Sequence, residues 1–296
     1  MSRSAGIFVA LDMLRLGFFM FWRGISIAFA MTICPVGALA QIGNASFEDS
    51  PNFHLWNTYG DDQIEGSSLG SGPLDGVKQA LLASATDGTV NANVVAGAGD
   101  TEAQVEAGLG LTGGSLAAFS GSNIALASAV AQSVTLVAGD KISFSWDFLT
   151  NQTYNDGTSD SIAPNLDWKD FSFLTFSPLG DAAKADIVKL ADTFYGYVNN
   201  PNLPGGFGTG LSITPNTDPF ISETKYQTYS FTVQTSGTYT IGVGVAHAVL
   251  AGAADDGVNS ALLVDNFIVT PAPEPTTMVG LGLFGLACLR RRRGAR

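Results

Sequence analysis

The carboxylates are the side chains of this chain best suited to chemistry. Residues 41–272 contain 24 Asp and Glu, all but two of the 26 in the sequence. Two suitably placed carboxylates suffice for glycoside hydrolysis, and three as close as Asp61, Asp62 and Glu65 can hold calcium through oxygen ligands. No spacing singles out one pair, however, and a solvated acidic loop is the favoured interpretation of residues 61–65.

Other groups used in catalysis are scarce in the same stretch. Its two histidines, His54 and His247, are about 190 residues apart and are expected to be surface or loop residues. Both cysteines, Cys34 and Cys288, fall outside it, so it offers no disulfide, thiol nucleophile or thiolate metal site. The motifs of serine hydrolases, P-loop proteins and zinc proteases are also missing. We therefore expect a protein that is not an enzyme.

The charge of the central stretch excludes one large class of partner. All six Lys lie within residues 41–272 and all eight Arg lie outside it, so this stretch has no arginine and a net charge near −18. Nucleic-acid binding requires basic contacts to phosphate, so we expect no nucleic-acid partner. The balance also disfavours anionic sugars, and it fits a secreted protein that binds neutral glycans or divalent cations.

The first forty residues have the pattern of a secretory signal peptide. Arginines are followed by the apolar run Gly24–Ile33, and the stretch ends in a small-residue site at Ala38 and Ala40. A retained N-terminal anchor is the weaker alternative, and Met13 or Met20 is an alternative start. Cleavage by signal peptidase would leave a mature domain of residues 41–272 after passage through the secretion machinery.

The tail, residues 273–296, has three parts in a fixed order. The stiff triplet Pro273-Glu274-Pro275 precedes the apolar run Met278–Leu289, and a cluster of four consecutive arginines follows. The cluster consists of Arg290, Arg291, Arg292 and Arg293. Arginines anchor the cytoplasmic end of a membrane segment, so this cluster is the expected stop of a membrane anchor. The twelve apolar residues cover only about 18 Å as a helix, against about 30 Å of bilayer hydrocarbon. Such a short span suits a segment that is held in the inner membrane transiently and then removed.

This tripartite end resembles the PEP-CTERM sorting signal of Gram-negative bacteria. The resemblance covers less than a tenth of the chain, and it implies recognition and cleavage near Pro273–Pro275 by a membrane exosortase. It also implies a destination at the cell surface or outside the cell, with exopolysaccharide or biofilm as the setting. An ordinary C-terminal membrane anchor is the alternative.

Hydrophobic alternation predicts an all-β fold for the mature domain. In residues 141–149, Ile142, Phe144, Trp146 and Phe148 alternate with polar residues, which indicates a strand with one buried face. Further strands are predicted at residues 79–84, 132–137, 170–176, 185–190, 226–233, 238–245 and 260–269, with a hairpin turn at 234–237. Residues 60–76 and 199–220 are predicted to be loops, and two short helices, or a helix and a turn, are expected between residues 100 and 121. The expected architecture is an antiparallel, jelly-roll-like β-sandwich with one or two short inserted helices, between an N-terminal signal helix and a C-terminal transmembrane helix.

Two short strings resemble galactose-binding-like and carbohydrate-binding jelly rolls. The first is Asn44-Ala45-Ser46-Phe47-Glu48, followed by Trp56, and the second is the sequence Leu-Leu-Val-Asp-Asn-Phe ending at Phe267. The resemblance implies a first strand with Asn44 at its entry and Phe47 as a core anchor. It also implies that Glu48 faces Asp265 across neighbouring terminal strands and that the pair helps to hold a structural calcium ion. An edge strand with a solvated Glu48 is the alternative.

Three functions remain open. The first is a non-catalytic structural or adhesive protein at the cell surface, the second is a module that binds neutral carbohydrate, and the third is a polysaccharide hydrolase. The long loop at residues 199–220 is a candidate binding site, in which aromatic residues would stack on sugar rings or pin the loop to the core.

Overall fold

The described residues between Ala40 and Pro273 fold as a sandwich of two antiparallel sheets, which confirms the all-β prediction. A computed structural model describes residues 40–84, 99–150, 170–193, 196–197, 220, 222–249 and 260–273. The strands are β1 Asn57–Tyr59, β2 Asp61–Glu65, β3 Gln79–Ala83, β4 Asn123–Leu136, β5 Lys141–Thr150, β6 Phe171–Pro178, β7 Asp186–Asp192, β8 Gly196–Tyr197, β9 Ser222–Glu223, β10 Gln227–Thr232, β11 Gly237–Val249 and β12 Ser260–Thr270. The helices are α1 Glu102–Leu109, α2 Ser115–Ser120 and a 3-10 turn, Ala182–Lys184.

The two sheets draw their strands from the whole length of the domain. The first sheet has the order β1-β4-β11-β6-β7-β8, and the second has the order β10-β5-β12-β3-β2, with β9 also paired to β5. Every pairing is antiparallel, and most neighbours in a sheet are far apart in sequence. The topology therefore places β10 at one edge of the second sheet, and this edge becomes important below.

The core between the sheets forms because one face of each long strand is apolar. On β5, Ile142, Phe144, Trp146 and Phe148 are all essentially buried, as their alternation predicts. They pack against the inward residues of β12 and β11, such as Val264 and Val243. Burial of large aliphatic or aromatic side chains stabilises a fold by roughly 1.5–3 kcal/mol each, so this layer is the main source of stability.

Residues 40–56 close the core without forming the predicted first strand. Asn44 and Phe47 have positive φ angles of 47° and 59°, which belong to turns and interrupt an extended chain. The prediction of a strand entered at Asn44 was therefore wrong, whereas Phe47 is the expected core anchor, with 0% of its surface exposed. Its ring lies 5.3 Å from that of Trp56, and Trp56 lies 4.9 Å from Phe267 of β12.

The predicted loop at residues 60–76 begins with an edge strand instead. Residues 61–65 form β2, which pairs with β3 in register from Asp61 opposite Ala83 to Glu65 opposite Gln79. Polar composition concealed this strand because an edge strand can satisfy one side of its backbone in a sheet and expose the other. Residues 66–78, between β2 and β3, are irregular.

The turn at residues 233–236 does not form a hairpin, contrary to the prediction. β10 pairs with β5 in the second sheet, whereas β11 pairs with β4 and β6 in the first. The turn therefore crosses from one sheet to the other. Hairpin and sheet-crossing turns share the same polar, glycine-containing composition, so only the partners of each strand distinguish them.

The two predicted helices are present and lie on the outer face of the first sheet. Gln104 Oε1 accepts the backbone N–H of Thr101 at 3.1 Å, which caps α1, and Gly110 ends it with φ 70°. Leu109 and Leu116 are buried against Phe171 and other outward residues of the sheet.

Several predictions concern residues outside the described ranges. They include the signal segment before Ala40, the tail after Pro273, and the loop at 199–220 apart from Phe220, which is buried. The signal, sorting and anchor residues that lie outside these ranges are Ala38, Glu274, Pro275, Arg290, Arg291, Arg292 and Arg293. Their roles in cleavage, sorting and membrane anchoring therefore stay predictions. No helix within the described ranges is long and apolar enough to cross a bilayer.

Candidate functional site

A cleft opens along one side of the sandwich, where the edge strand β10 faces β6 and β7 of the opposite sheet. Its volume is about 820 Å³, which lies within the range of small-molecule sites. The inner ends of the cleft reach the hydrophobic core at Leu174 and Val188, and its lower rim is the 233–237 turn.

Half-buried and exposed side chains alternate along β10, and this alternation directs two aromatic rings into the cleft. Tyr229 and Phe231 are half-buried, while Thr228, Ser230 and Thr232 between and beyond them are exposed on the other face. Among the strands that the structure describes, β10 pairs only with β5. The apolar residues of β10 thus line an opening in place of a closed core.

Four aromatic side chains form the floor of the cleft. The ring of Phe176 stacks on that of Tyr239 with 4.0 Å between centroids and 18° between planes. Phe231 meets Phe176 edge-on at 5.1 Å, and Tyr229 lies 6.2 Å from Phe231. Such a contiguous aromatic surface is suited to flat, apolar faces of a ligand, including the C–H faces of sugar rings.

Polar groups occupy the rim of the cleft. Lys184 Nζ lies 2.6 Å from Asp181 Oδ2, so these two charges neutralise each other. Asp186 is exposed at the start of β7, and burial followed by the Asp186 charge raises the pKa of Tyr229. Asp186 therefore lies near the Tyr229 hydroxyl, and the two offer an acceptor and a donor for hydroxyl groups of a ligand.

Part of the outer face of each sheet is covered where the chain is described. On the first sheet, α1 approaches so closely that a Cβ added to Gly242 would lie 2.2 Å from Leu109 Cδ2. On the second sheet, Leu69 is buried on Leu81, Leu149 and Leu263 beneath the 66–75 loop. Within the described residues, the lateral cleft thus groups four aromatic side chains, whereas Phe119 of α2 is a single exposed ring elsewhere.

Glu48 and Asp265 both accept hydrogen bonds from one loop, residues 74–78, although Glu48 does not lie on a strand. Glu48 Oε1 accepts the backbone N–H groups of Val77 and Lys78, both at 2.6 Å. Each such charge-assisted hydrogen bond is stronger than a neutral one. The loop is therefore fixed at residues 77–78 by a carboxylate that belongs to the N-terminal segment.

Asp265 fixes the other half of the same loop. Its Oδ2 accepts the N–H groups of Leu74 at 2.7 Å and Asp75 at 2.9 Å, and its Oδ1 accepts that of Asn266 at 2.6 Å. Burial raises the pKa of Asp265, the three backbone hydrogen bonds oppose this shift, and the nearby Asp75 charge adds to it. No group of three or more His, Cys, Asp or Glu side chains in the described part of the chain is arranged to hold a metal.

A second carboxyl pair lies under the 66–75 loop and was not singled out by sequence. Asp147 and Glu223 are 0% and 4% exposed, and burial followed by the Glu223 carboxyl raises the pKa of Asp147 to about 8. Thr224 Oγ1 donates to Asp147 Oδ1 at 3.1 Å, and Lys225 pairs with Glu223. The alternation of β5 predicted Asp147 on the solvated face, and only the covering loop buries it.

The histidine prediction was correct for one residue and wrong for the other. His54 is exposed, with Nδ1 3.6 Å from Asp49 Oδ2. His247 is fully buried on β11, where its Nδ1 lies 2.8 Å from Asp170 Oδ1, and Asp170 also accepts the N–H of Ala248 at 3.1 Å. A β-bulge in the pairing of β11 with β4 lies between His247 and Ala248. Sequence reasoning missed this pair because its members are 77 residues apart.

Comparisons with known proteins identify no family for this chain. No family model matches it, and no curated protein matches it. Among solved structures, it is similar to the carbohydrate-binding module TmCBM61 in complex with beta-1,4-galactotriose, with TM-score 0.35, 12% identity and coverage of 78% of this chain and 97% of that chain. It is also similar to the CBM22-2 xylan-binding domain of Paenibacillus barcinonensis Xyn10C, with TM-score 0.34, 10% identity and coverage of 77% and 98%.

A third solved structure with a similar score is the K2 cleaved adhesin domain of Lys-gingipain, with TM-score 0.36, 12% identity and coverage of 76% of this chain and 96% of that chain. Scores this low assign neither a ligand nor a family to the chain. The sandwich architecture is defined by the chain's own two sheets.

Proposed function

We propose that this chain is an exported, non-catalytic protein that binds neutral polysaccharide in the lateral cleft between β10 and β6–β7. The observation that carries the proposal is the aromatic floor formed by Phe176, Tyr229, Phe231 and Tyr239 at an open edge of the sandwich. Stacking on sugar rings requires such a surface, and the hydroxyl groups of a neutral sugar would find partners in Asp186 and Tyr229.

The charge of the domain supports a neutral ligand. With a net charge near −18 and no arginine in residues 41–272, an anionic polymer would be repelled before it reached the cleft. Lys184 at the rim is already paired with Asp181. A structural or adhesive role at the cell surface, the first of the functions considered from sequence, would then follow from glycan binding.

The test compares the two faces of β10. Full-length protein in detergent would be titrated by calorimetry with neutral hexasaccharides of glucose, xylose and galactose. Tyr229→Ala and Phe231→Ala should each weaken binding about tenfold or more, the equivalent of about 1.4 kcal/mol. Thr228→Ala and Ser230→Ala, on the exposed face of the same strand, serve as matched controls and should bind normally. Equal affinity for all four variants, or no binding by the wild type, would overturn the proposal.

We propose that the role is binding without hydrolysis. Glycoside hydrolysis needs two carboxyl groups on either side of the scissile bond. At the cleft, the Asp181 carboxylate is paired with Lys184. The other close carboxyl pair, Asp147 and Glu223, is buried away from the cleft, under the 66–75 loop on the outer face of the second sheet. Chromatography of the incubated hexasaccharides should detect no shorter products, and the appearance of such products would contradict this part of the proposal.

The proposed route outside the cell follows from the two ends of the sequence. Signal peptidase would cleave after Ala40, and an exosortase would read Pro273-Glu274-Pro275 while the apolar run and the arginines at 290–293 hold the inner membrane. The mature protein would then reach the cell surface or the exterior. Intact-mass spectrometry of the exported protein should give a chain that begins at Gln41 and ends near Pro273–Pro275, whereas retention of the four arginines at the surface would contradict cleavage.

We further propose a structural calcium ion at Glu48 and Asp265. Among the described residues, Oε2 of Glu48 accepts no hydrogen bond, and Oδ1 of Asp265 accepts one, so each carboxylate retains an oxygen lone pair for a hard cation. Calcium there would add to the hydrogen bonds that already fix the 74–78 loop.

A further inference from the structure

We propose that the end of the sandwich formed by the 137–140 and 233–237 turns is a membrane-facing surface, applied to the bilayer that holds the apolar run 278–289 of the same chain. This proposal rests on the proposed export and membrane insertion of the tail. It adds the orientation of the domain relative to the bilayer and therefore the position of the cleft relative to the membrane surface.

The point at which the chain leaves the sandwich is fixed by hydrogen bonds. The last paired residue of β12, Thr270, lies opposite Lys141 at the start of β5. Two residues later the N–H of Ala272 donates to Asp140 Oδ1 at 2.9 Å. The tail therefore starts at Pro273 directly beside the 137–140 turn.

The same turn is bonded to the lower rim of the cleft. Gly139 N–H donates to the carbonyl of Val233 at 2.8 Å, and Val233 N–H donates to the carbonyl of Asp140 at 2.8 Å. Ala138 N–H donates to Ser236 Oγ at 2.9 Å. One end of the domain therefore contains the point where the chain leaves the sandwich, the 137–140 turn and the 233–237 turn at the rim of the cleft.

The sequence allows little separation between this end and a bilayer. Five residue steps join Pro273 to Met278, the first residue of the apolar run. A fully extended chain of that length spans at most about 17 Å. The headgroup region on one side of a bilayer takes up about 5–7 Å of this distance. The 137–140 turn must then lie within roughly 10 Å of the headgroups while the tail is uncut.

The side chains at this end suit contact with lipid. Val137 and Leu179 are large apolar residues that are 57% and 67% exposed. Leu179 belongs to the same end, because its N–H donates to the carbonyl of Thr238 at 2.9 Å. Lys141 is exposed nearby and would meet lipid phosphates. A polymer in the cleft would accordingly lie along the membrane surface until the tail is cut.

The experiment uses the full chain in phosphatidylcholine and phosphatidylglycerol vesicles, in a Cys34→Ser, Cys288→Ser background. A fluorophore is attached at Val137→Cys or Leu179→Cys, and quenching by headgroup-labelled lipid is measured. The control is Ala103→Cys on α1, which lies far from the proposed membrane-facing end. Asp100, just before α1, pairs with Ala127 of β4, and Ala127 is about 30 Å along that strand from Leu136. Melting temperatures of the labelled variants check that each is folded.

Quenching at positions 137 and 179 should exceed quenching at position 103 at least fivefold. Insertion of twenty Gly and Ser residues after Pro273 should reduce it to the control level, because the tether would no longer hold the end at the membrane. Equal quenching at all three positions would overturn the proposed orientation. A chain that does not sediment with vesicles would overturn membrane insertion itself. Loss of hexasaccharide binding with the quenching pattern intact would refute the cleft and leave the orientation standing.

Discussion

Asp147 and Glu223 hold two carboxyl groups next to each other beneath the 66–75 loop, with 0% and 4% of their surfaces exposed. Ser71 of that loop donates to Glu223 Oε2 at 3.2 Å, so the covering segment is bonded to the pair it buries. Two adjacent buried carboxylates cannot both ionise without a large penalty, and one proton is retained between them. The stability of the domain should therefore depend on pH at values where exposed carboxylates no longer titrate.

The sign of this dependence follows from the pKa of Asp147, which is raised from 3.8 to about 8. Between these values the folded state binds a proton that the unfolded state has released. Stability contributed by this proton is complete below pH 3.8 and is lost as the pH rises toward 8, with a slope of at most about 1.4 kcal/mol per pH unit.

Asp147→Asn should flatten this profile, because its amide imitates the protonated acid at every pH. Urea unfolding between pH 5 and 8.5 measures the slope, and Asp186→Asn, which changes an exposed carboxylate, should leave it unchanged. Parallel profiles for wild type and Asp147→Asn would show that the pair does not retain a proton.

The 74–78 loop should depend on both Glu48 and Asp265. Asp265→Ala removes the acceptor of three backbone N–H groups, and a hydrogen bond to a charged group contributes about 1.5–3 kcal/mol. We expect a lower melting temperature and faster amide exchange at residues 74–78. Asp181→Ala, at a distant exposed turn, should change neither measurement.

The response to calcium distinguishes the two roles of Glu48 and Asp265, which are hydrogen bonding to the 74–78 loop and the proposed binding of calcium. Millimolar calcium should raise the melting temperature of the wild type, and the rise should vanish in the Glu48→Gln, Asp265→Asn double variant. A wild type that ignores both calcium and EDTA would eliminate the cation and leave the hydrogen-bonded loop as the function of these carboxylates.

Gly242 should be required for the docking of α1 on the first sheet. A Cβ at this position would lie 2.2 Å from Leu109 Cδ2 and 2.6 Å from Thr175 Oγ1. Gly242→Ala should cost about 1–3 kcal/mol in unfolding free energy through overpacking. Gly113→Ala is the matched control, because nothing lies within 4 Å of its added Cβ. Equal stability of the two variants would mean that the helix is free to shift.

The two histidines should differ strongly in their contribution to stability. His247→Ala removes the 2.8 Å hydrogen-bond partner of the buried Asp170 side chain, and a buried polar group left unsatisfied costs about 1–3 kcal/mol. His54→Ala should lie within about 0.5 kcal/mol of wild type, because that side chain is exposed. Denaturant unfolding of both variants measures the difference, and a mild effect at His247 would argue against an energetic role for the pair.

The local hydrophobic pattern was sufficient to predict secondary structure where one strand face is apolar over many residues. It predicted β5, β12 and the two helices, because each buries a periodic set of side chains whose spacing is set by the backbone itself. It failed at β2, whose polar residues make an edge strand, and at residues 40–48, where turns at Asn44 and Phe47 replace a strand. These segments are shaped by partners far along the chain, which periodicity does not record.

By itself the sequence determined the composition and the elements: an acidic, arginine-free body of alternating strands between a signal-like start and an apolar, arginine-ended tail. Only the tertiary structure decided which strands became partners. That choice put β10 at an open edge, brought Glu48 to the loop that Asp265 binds, and buried Asp147 and His247 with Glu223 and Asp170. The physical reason is that strand pairing and loop covering join residues far apart in the sequence, such as His247 and Asp170 at 77 positions, and their energies depend on contacts that no local window contains.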